Sequence, residues 1–125
     1  MDSETLKSVH LIGESSFGGQ IYAANEVFAL VVGHNSTEIK GVMGLSDLNT
    51  GELITKMTDK NLGKALRLDL GKKNMSVLVG IIVLAGSNLL EVSKAVQKKV
   101  ADSVENIIGV SLSAVNVQIT DVRSR

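Results

Sequence analysis

His10 and His34 are the only imidazoles of a 125-residue chain that has no cysteine, so a metal site or an acid–base pair would have to be assembled from these two and carboxylates. Closed zinc centres draw four ligands from Cys, His and carboxylate side chains, usually at short sequence spacings. The two histidines lie 24 residues apart, with no spacing that sets them on one helix face. His34 falls where a helix would end, and an imidazolium there complements the carbonyl end of the helix dipole. No metal and no cofactor are expected. Ser15 and Ser16 precede the pair Gly18-Gly19, but neither a Gly-x-Ser-x-Gly elbow nor a phosphate-binding glycine loop follows, and they read as a turn. With no thiol, no serine elbow and no His–carboxylate cluster, no nucleophile has partners in the sequence. The expectation is that the chain is not an enzyme.

Gly41-Val42-Met43-Gly44 has the G-x-x-G spacing of a KH module, whose loop clamps single-stranded RNA backbone. Twelve glycines make that spacing common by chance, and its middle residues are apolar instead of basic. Lys94, Lys98 and Lys99 are diluted by Glu91, Asp102 and Glu105, and Lys98 to Asp102 has ion-pair spacing on a helix surface. Net charge is zero, although the chain from Lys64 onward carries nine Lys+Arg against five Asp+Glu. Phe17, Tyr22 and Phe28 are the only aromatics, and all lie in the acidic half, away from any basic surface on which bases could stack. A KH-like RNA module is the minor alternative, and nucleic acid is not the expected partner. The longest apolar run, Val77 to Ala85, is interrupted by Gly80 and falls well short of the ~20 residues of a membrane span. A cytoplasmic chain without direct membrane insertion is expected.

At 44% apolar and 21% charged, the composition is that of a globular protein, and the length suits one domain. Residues 1–16 lack periodicity and read as a flexible N-terminal arm, with a short ordered stretch at Val9 to Ile12; residues 17–125 read as the domain. Phe17 to Tyr22 suits a strand. Ala24, Val27, Phe28 and Val31 then fall on one helical stripe, giving a helix that ends before Gly41. Val42 to Leu45 suits a short strand. Asn49 with Glu52 has capping-box spacing for a short helix through Met57, and Asp59 to Gly63 reads as its exit. Leu66, Leu68 and Leu70 alternate with Arg67 and Asp69, and after the turn at residues 71–74 Met75 to Leu84 reads as a central, buried strand. Asn88 and Glu91 open a second helix whose inner face holds Leu89, Val92, Val96, Val100 and Ile107, and Gly109 closes it in a left-handed conformation. Val115, Val117 and Ile119 alternate in a last strand. The fold expected is α/β (α+β): a small mixed sheet with two main helices on one face, in the order β-α-β-(short α)-β-β-α-β.

The same helical phase puts Glu26, Ala29, Leu30 and Gly33 on the outward side of the first helix. A solvated helix would carry several charges there, and this strip carries one, so it reads as a contact surface for a protein partner or for self-association.

Two blocks of the chain resemble the alkaline shock protein family of Gram-positive bacteria. Residues 38–46, Glu38-Ile39-Lys40-Gly41-Val42-Met43-Gly44-Leu45-Ser46, follow a helix carrying Ala23-Ala24-Asn25-Glu26-Val27. The second block runs from Val83-Leu84-Ala85-Gly86-Ser87-Asn88-Leu89 through Val104-Glu105-Asn106-Ile107-Ile108-Gly109 to Val115-Asn116-Val117-Gln118-Ile119. It departs from the family pattern at Leu84-Ala85, where tyrosine often precedes the glycine, and at Leu90, where proline is frequent. The matching positions are glycines and core apolars, which makes Gly41, Gly44, Gly86 and Gly109 structural. The resemblance implies a small, non-enzymatic, homo-oligomeric scaffold or adaptor. It implies a place at the membrane through a separate small anchor protein, and a part in cell-envelope stress homeostasis. A paralogous branch implies instead a cytosolic regulator of fatty-acid synthesis at acetyl-CoA carboxylase.

Overall fold

The structure is a computed structural model that describes residues 9–46, 66–71 and 74–124. The short helix expected from Asn49 to Met57 and its exit loop lie outside the described residues. In chain order the elements are β1 (Val9–Glu14), β2 (Gln20–Ala24), α1 (Asn25–Thr37), β3 (Val42–Leu45), β4 (Leu66–Leu70), β5 (Met75–Leu84), α2 (Leu89–Ser103) with a π-helical turn at Val104–Ile108, and β6 (Ala114–Arg123). The mixed α+β fold is as expected, with one added strand. Val9–Glu14, which includes the ordered stretch expected at Val9 to Ile12, pairs with β2 in a hairpin. The pairing supplies the backbone partners that a sequence without periodicity does not reveal. The second hairpin strand starts at Gln20, three residues later than expected, because Ser15 to Gly19 make the turn and put Phe17 at its tip.

β5 organises the main sheet. Its residues alternate between a helix-facing row (Met75, Val77, Val79, Ile81 and Val83) and an opposite row, and the whole helix-facing row is buried. β4 pairs antiparallel with its first half and β3 with its second, on the same edge; β6 runs parallel along the other edge. The register aligns apolar residues across three strands, as in Leu68–Val77–Val115 and Leu66–Val79–Val117. β3 and β4 are nearly continuous along β5, since the Ser46 N–H donates to the Gly80 carbonyl at 2.9 Å while Leu66 pairs with the adjacent Val79.

Both helices pack on this row. Phe28, Ala29 and Val32 from α1 and Val92, Val96 and Val100 from α2 join β4 and β5 in one core cluster. The crossover from β5 through α2 to the parallel strand β6 is the βαβ unit that a parallel pair requires. As expected, the Asn88 side chain accepts from the Glu91 N–H at 3.0 Å, and Gly109 ends the helix at φ 93°. The end differs in detail: the Gly109 N–H bonds to the Val104 carbonyl at 3.0 Å, a five-residue step. That wider turn keeps the four-residue line Val96, Val100, Val104, Ile108 on the core, and Ile107 is left 62% exposed. Leu89 shares the phase of Val96 but is the first residue of the helix, and it too is exposed.

Gly41 sits at φ +98° in the turn from α1 to β3, where a β-carbon would lie 2.9 Å from Val92 Cγ2 and 3.1 Å from Ser87 Oγ. Gly41 therefore lets the start of β3 approach the start of α2. Gly44 differs from expectation: its φ is not positive and a β-carbon would meet nothing within 4 Å. Gly41→Ala is expected to destabilise by about 2–4 kcal/mol, from left-handed strain plus overpacking. Gly44→Ala is expected to stay within ~0.5 kcal/mol of the parent. Urea denaturation of the two variants checks both values.

Candidate functional site

The histidines do not meet. The His10 Nε2 is hydrogen-bonded to Asn25 Oδ1, and its ring stands edge-on to Phe28 at 6.1 Å between centroids. His10 therefore fastens the hairpin to the start of α1 and satisfies the side-chain oxygen of an asparagine that is 6% exposed. His34 lies on the surface in the last turn of α1, with Nε2 2.8 Å from Glu38 Oε1, and Lys99 reaches the other oxygen of Glu38 at 3.5 Å. Ser15 Oγ accepts from the Phe17 N–H at 3.0 Å, which makes it the turn residue expected. Among the described residues no group of three or more His, Cys, Asp or Glu side chains is placed to hold a metal ion. The Gly41–Gly44 segment lies between a helix and a strand, with Val42–Leu45 inside β3, and this is not the helix–loop–helix setting of a KH clamp.

A cavity of about 480 Å³ separates the hairpin from the end of the sheet, lined mainly by Val9, Leu11, Tyr22, Leu70 and Met75. At its rim the Tyr22 hydroxyl donates to Gln20 Oε1 at 2.5 Å. The polar groups of this wall are bonded to one another or, for His10, to Asn25, so they form no nucleophile–base pair.

α1 carries the informative surface, and its phase differs from the one expected. Ala29 and Gly33 are buried, with Ala29 at 0% exposure, while Val27 is 41% and Leu30 44% exposed. Of the four residues expected to form the outward strip, Leu30 points out, Glu26 is half-buried and the two small residues turn inward. The helix is rotated by about one residue, because its inner face is built from small and polar groups. Asn35 Nδ2 donates to the Val31 carbonyl and Ser36 Oγ to the Val32 carbonyl, each at 2.7 Å. Bonding back to their own helix makes these side chains cheap to bury. Hydrophobicity alone assigns them to solvent. The outward stripe is then Val27, Leu30 and His34, at spacings of three and four residues on one face, with Val31 half-buried against the core beside it and the His34–Glu38–Lys99 cluster at its end. Elsewhere the exposed large apolar residues include Phe17 at 98%, Leu90 at 64% and Ile107. Phe17, expected as the first residue of a strand, stands instead at the tip of the turn before β2, where nothing covers it among the described residues.

Of the structural glycines, Gly86 has φ +93° in the turn before α2. Near the C-terminal end of β6, the Arg123 guanidinium bonds to Asp121 at 2.7 Å and the Val122 N–H donates to the same carboxylate. These two donors, the guanidinium foremost, hold the Asp121 carboxyl below the usual carboxylate range. Its contribution is thus present above the unfolded pKa and is lost as pH falls through the lowered folded value.

A family model described as of cell envelope-related function, that of the alkaline shock protein 23 family, matches residues 13–124. Among curated proteins, YloU of Bacillus subtilis (strain 168), itself uncharacterized, is 29% identical over 107 residues, covering 84% of this chain and 89% of YloU. The uncharacterized YqhY of the same organism is 23% identical over 122 residues, covering 98% of this chain and 88% of YqhY. Among solved structures, a variant of the MamM CTD superposes with a TM-score of 0.51 at 16% identity, over 77% of this chain and 93% of that one. At that identity the likeness speaks for the fold.

Two measurements check this reading of the site. A chelator is expected to leave the melting temperature unchanged, since the described residues place no group of ligands whose metal-binding energy could be coupled to folding. His10→Ala is expected to cost about 1–3 kcal/mol, by leaving the buried Asn25 oxygen without its partner. A loss confined to the hairpin would show in hydrogen exchange.

Proposed function

The chain belongs to the alkaline shock protein 23 family, of cell envelope-related function, and from that premise we propose that it is a non-catalytic scaffold or adaptor that works by protein contacts. Its contact surface is the outward stripe of α1, built on Val27 and Leu30 and flanked by Glu26 and His34. The observation that carries this reading is the rotated phase of α1. The helix buries its small and polar residues and leaves two large aliphatic side chains more than 40% exposed. Scattered apolar residues are ordinary on a protein surface, but two neighbours at helical spacing form a strip that an apolar helix can cover.

No helix among the described residues is long and apolar enough to cross a membrane. A place at the envelope would therefore come through a partner, and a small membrane-anchored protein presenting an amphipathic segment fits a stripe of this width. In this reading the chain is cytoplasmic, peripheral to the membrane, self-associating, and active in envelope stress homeostasis.

Capture from a detergent-solubilised membrane fraction, with the tagged full chain as bait, tests the proposal. Wild type should retain a defined membrane protein, and Val27→Glu combined with Leu30→Glu should lose it while the unfolding free energy changes by no more than exposed substitutions allow, about 0.5 kcal/mol each. Equal capture by the folded double variant would remove this surface from consideration.

A further inference from the structure

The two edges of the sheet are not equivalent. β3 and β4 together occupy one edge of β5 and β6 takes the other, so that β6 has an outer edge with which no described strand pairs, its one side-chain partner there among the described residues being Gln97, whose Nε2 donates to the Val115 carbonyl at 3.0 Å. Edge strands in natural proteins are usually blunted by shortness, proline, lysine or a bulge, because their free N–H and C=O groups template pairing with another chain. β6 runs ten residues with neither Pro nor Lys. Its interruptions come late: the register shift between Ile119 and Asp121, then the charges of Asp121 and Arg123. Those two charges pair with each other at 2.7 Å, which leaves the strand neutral. Ahead of the bulge, Ala114–Ile119 is regular, with Val115, Val117 and Ile119 only half-buried on the helix side and Ala114, Asn116 and Gln118 exposed on the opposite side.

We infer that this edge pairs antiparallel with the β6 of a second copy of the chain, extending the sheet across a two-fold axis at Val117. The inference deepens the self-association part of the reading above and names its surface. A second copy is the occupant because the strand complements itself. Side chains alternate, so only registers that oppose residues of equal parity keep the apolar rows on one side. With Val117 opposite its own copy, Val115 faces Ile119 and Asn116 faces Gln118 across the axis. The half-buried apolar row is thereby continued by an identical row, and carboxamides meet carboxamides on the open face. Asp121 and Arg123 then fall beyond the bulge, at the two outer ends of the paired stretch and away from each other's copies. A parallel arrangement would instead stack aspartate on aspartate and arginine on arginine, which is unfavourable. The two-fold pairing also closes on itself, as an isologous dimer does.

The experiment is sedimentation of the full chain with two kinds of variant. Wild type should sediment at twice 13.2 kDa. Asn116→Lys with Gln118→Lys, both at exposed positions, crowds four ammonium groups around the axis and should weaken the dimer about tenfold or more, with the melting temperature unchanged. In the cysteine-free chain, Val117→Cys should form a disulfide-linked dimer on mild oxidation, since directly opposed residues lie within disulfide range. Gln118→Cys should not, because position 116 stands opposite it. A monomeric wild type would overturn both this inference and the self-association reading. A dimer that survives the double lysine variant, or that cross-links as readily through position 118 as through 117, would overturn the edge pairing and leave self-association standing.

Discussion

The main sheet and the packing of both helices depend on the helix-facing row of β5 being buried and on the strand being hydrogen-bonded along both edges. Met75, Val77, Val79, Ile81 and Val83 are at most 9% exposed, and the partners of this one strand come from three places in the chain. A strand this apolar is stable only if each backbone polar group finds a partner, because an unmet buried N–H or C=O costs about as much as the hydrogen bond it lacks. β3, β4 and β6 supply those partners, and α1 and α2 cover the side chains. The edge left over passes to β6, the strand with the most solvent contact.

That division of labour explains the uneven surface. The helix-facing side of the sheet takes the large aliphatic residues, so α1 can meet it with a face of Phe28, Ala29, Val32, Gly33 and self-bonded Asn35 and Ser36. Small residues bring backbones together at low entropic cost on burial. The same turn of the helix sends Val27 and Leu30 outward, so the exposed stripe is a geometrical consequence of how the core is filled. Gly41 belongs to the same arrangement, since its missing β-carbon lets the β3 entrance meet Val92 and Ser87.

The polar residues serve the scaffold in every case described. His10 pins the hairpin, His34 and Lys99 converge on Glu38, Asn88 caps α2, and Lys98 pairs with Asp102 at 3.2 Å. Ser46, which follows β3, and Thr120 of β6 are hydrogen-bonded to each other on either side of the central strand. What a partner would meet is an apolar helix stripe on one side of the molecule and a strand edge on another, surfaces suited to recognition by backbone and aliphatic contact.

The sequence by itself determined the elements with strong period or unambiguous punctuation. The Leu66–Leu68–Leu70 alternation, the β-branched run of β5, the Asn88 cap, the Gly109 stop and the Val115–Val117–Ile119 alternation are local signals, because each element's own backbone geometry enforces them. The absence of cysteine and the distance between the histidines likewise argued against metal and thiol chemistry before any fold was known. Tertiary structure alone decided the quantities set by neighbours. It paired Val9–Glu14 with β2, a partner whose identity no local pattern carries. It rotated α1 by about a residue, because burial of Asn35 and Ser36 rests on hydrogen bonds that hydropathy does not register. It put Ile107 outside and Ile108 inside through one wide turn, and it left β6 at the edge. Periodicity encodes which residues share a face, but only packing against the rest of the chain decides which way that face turns.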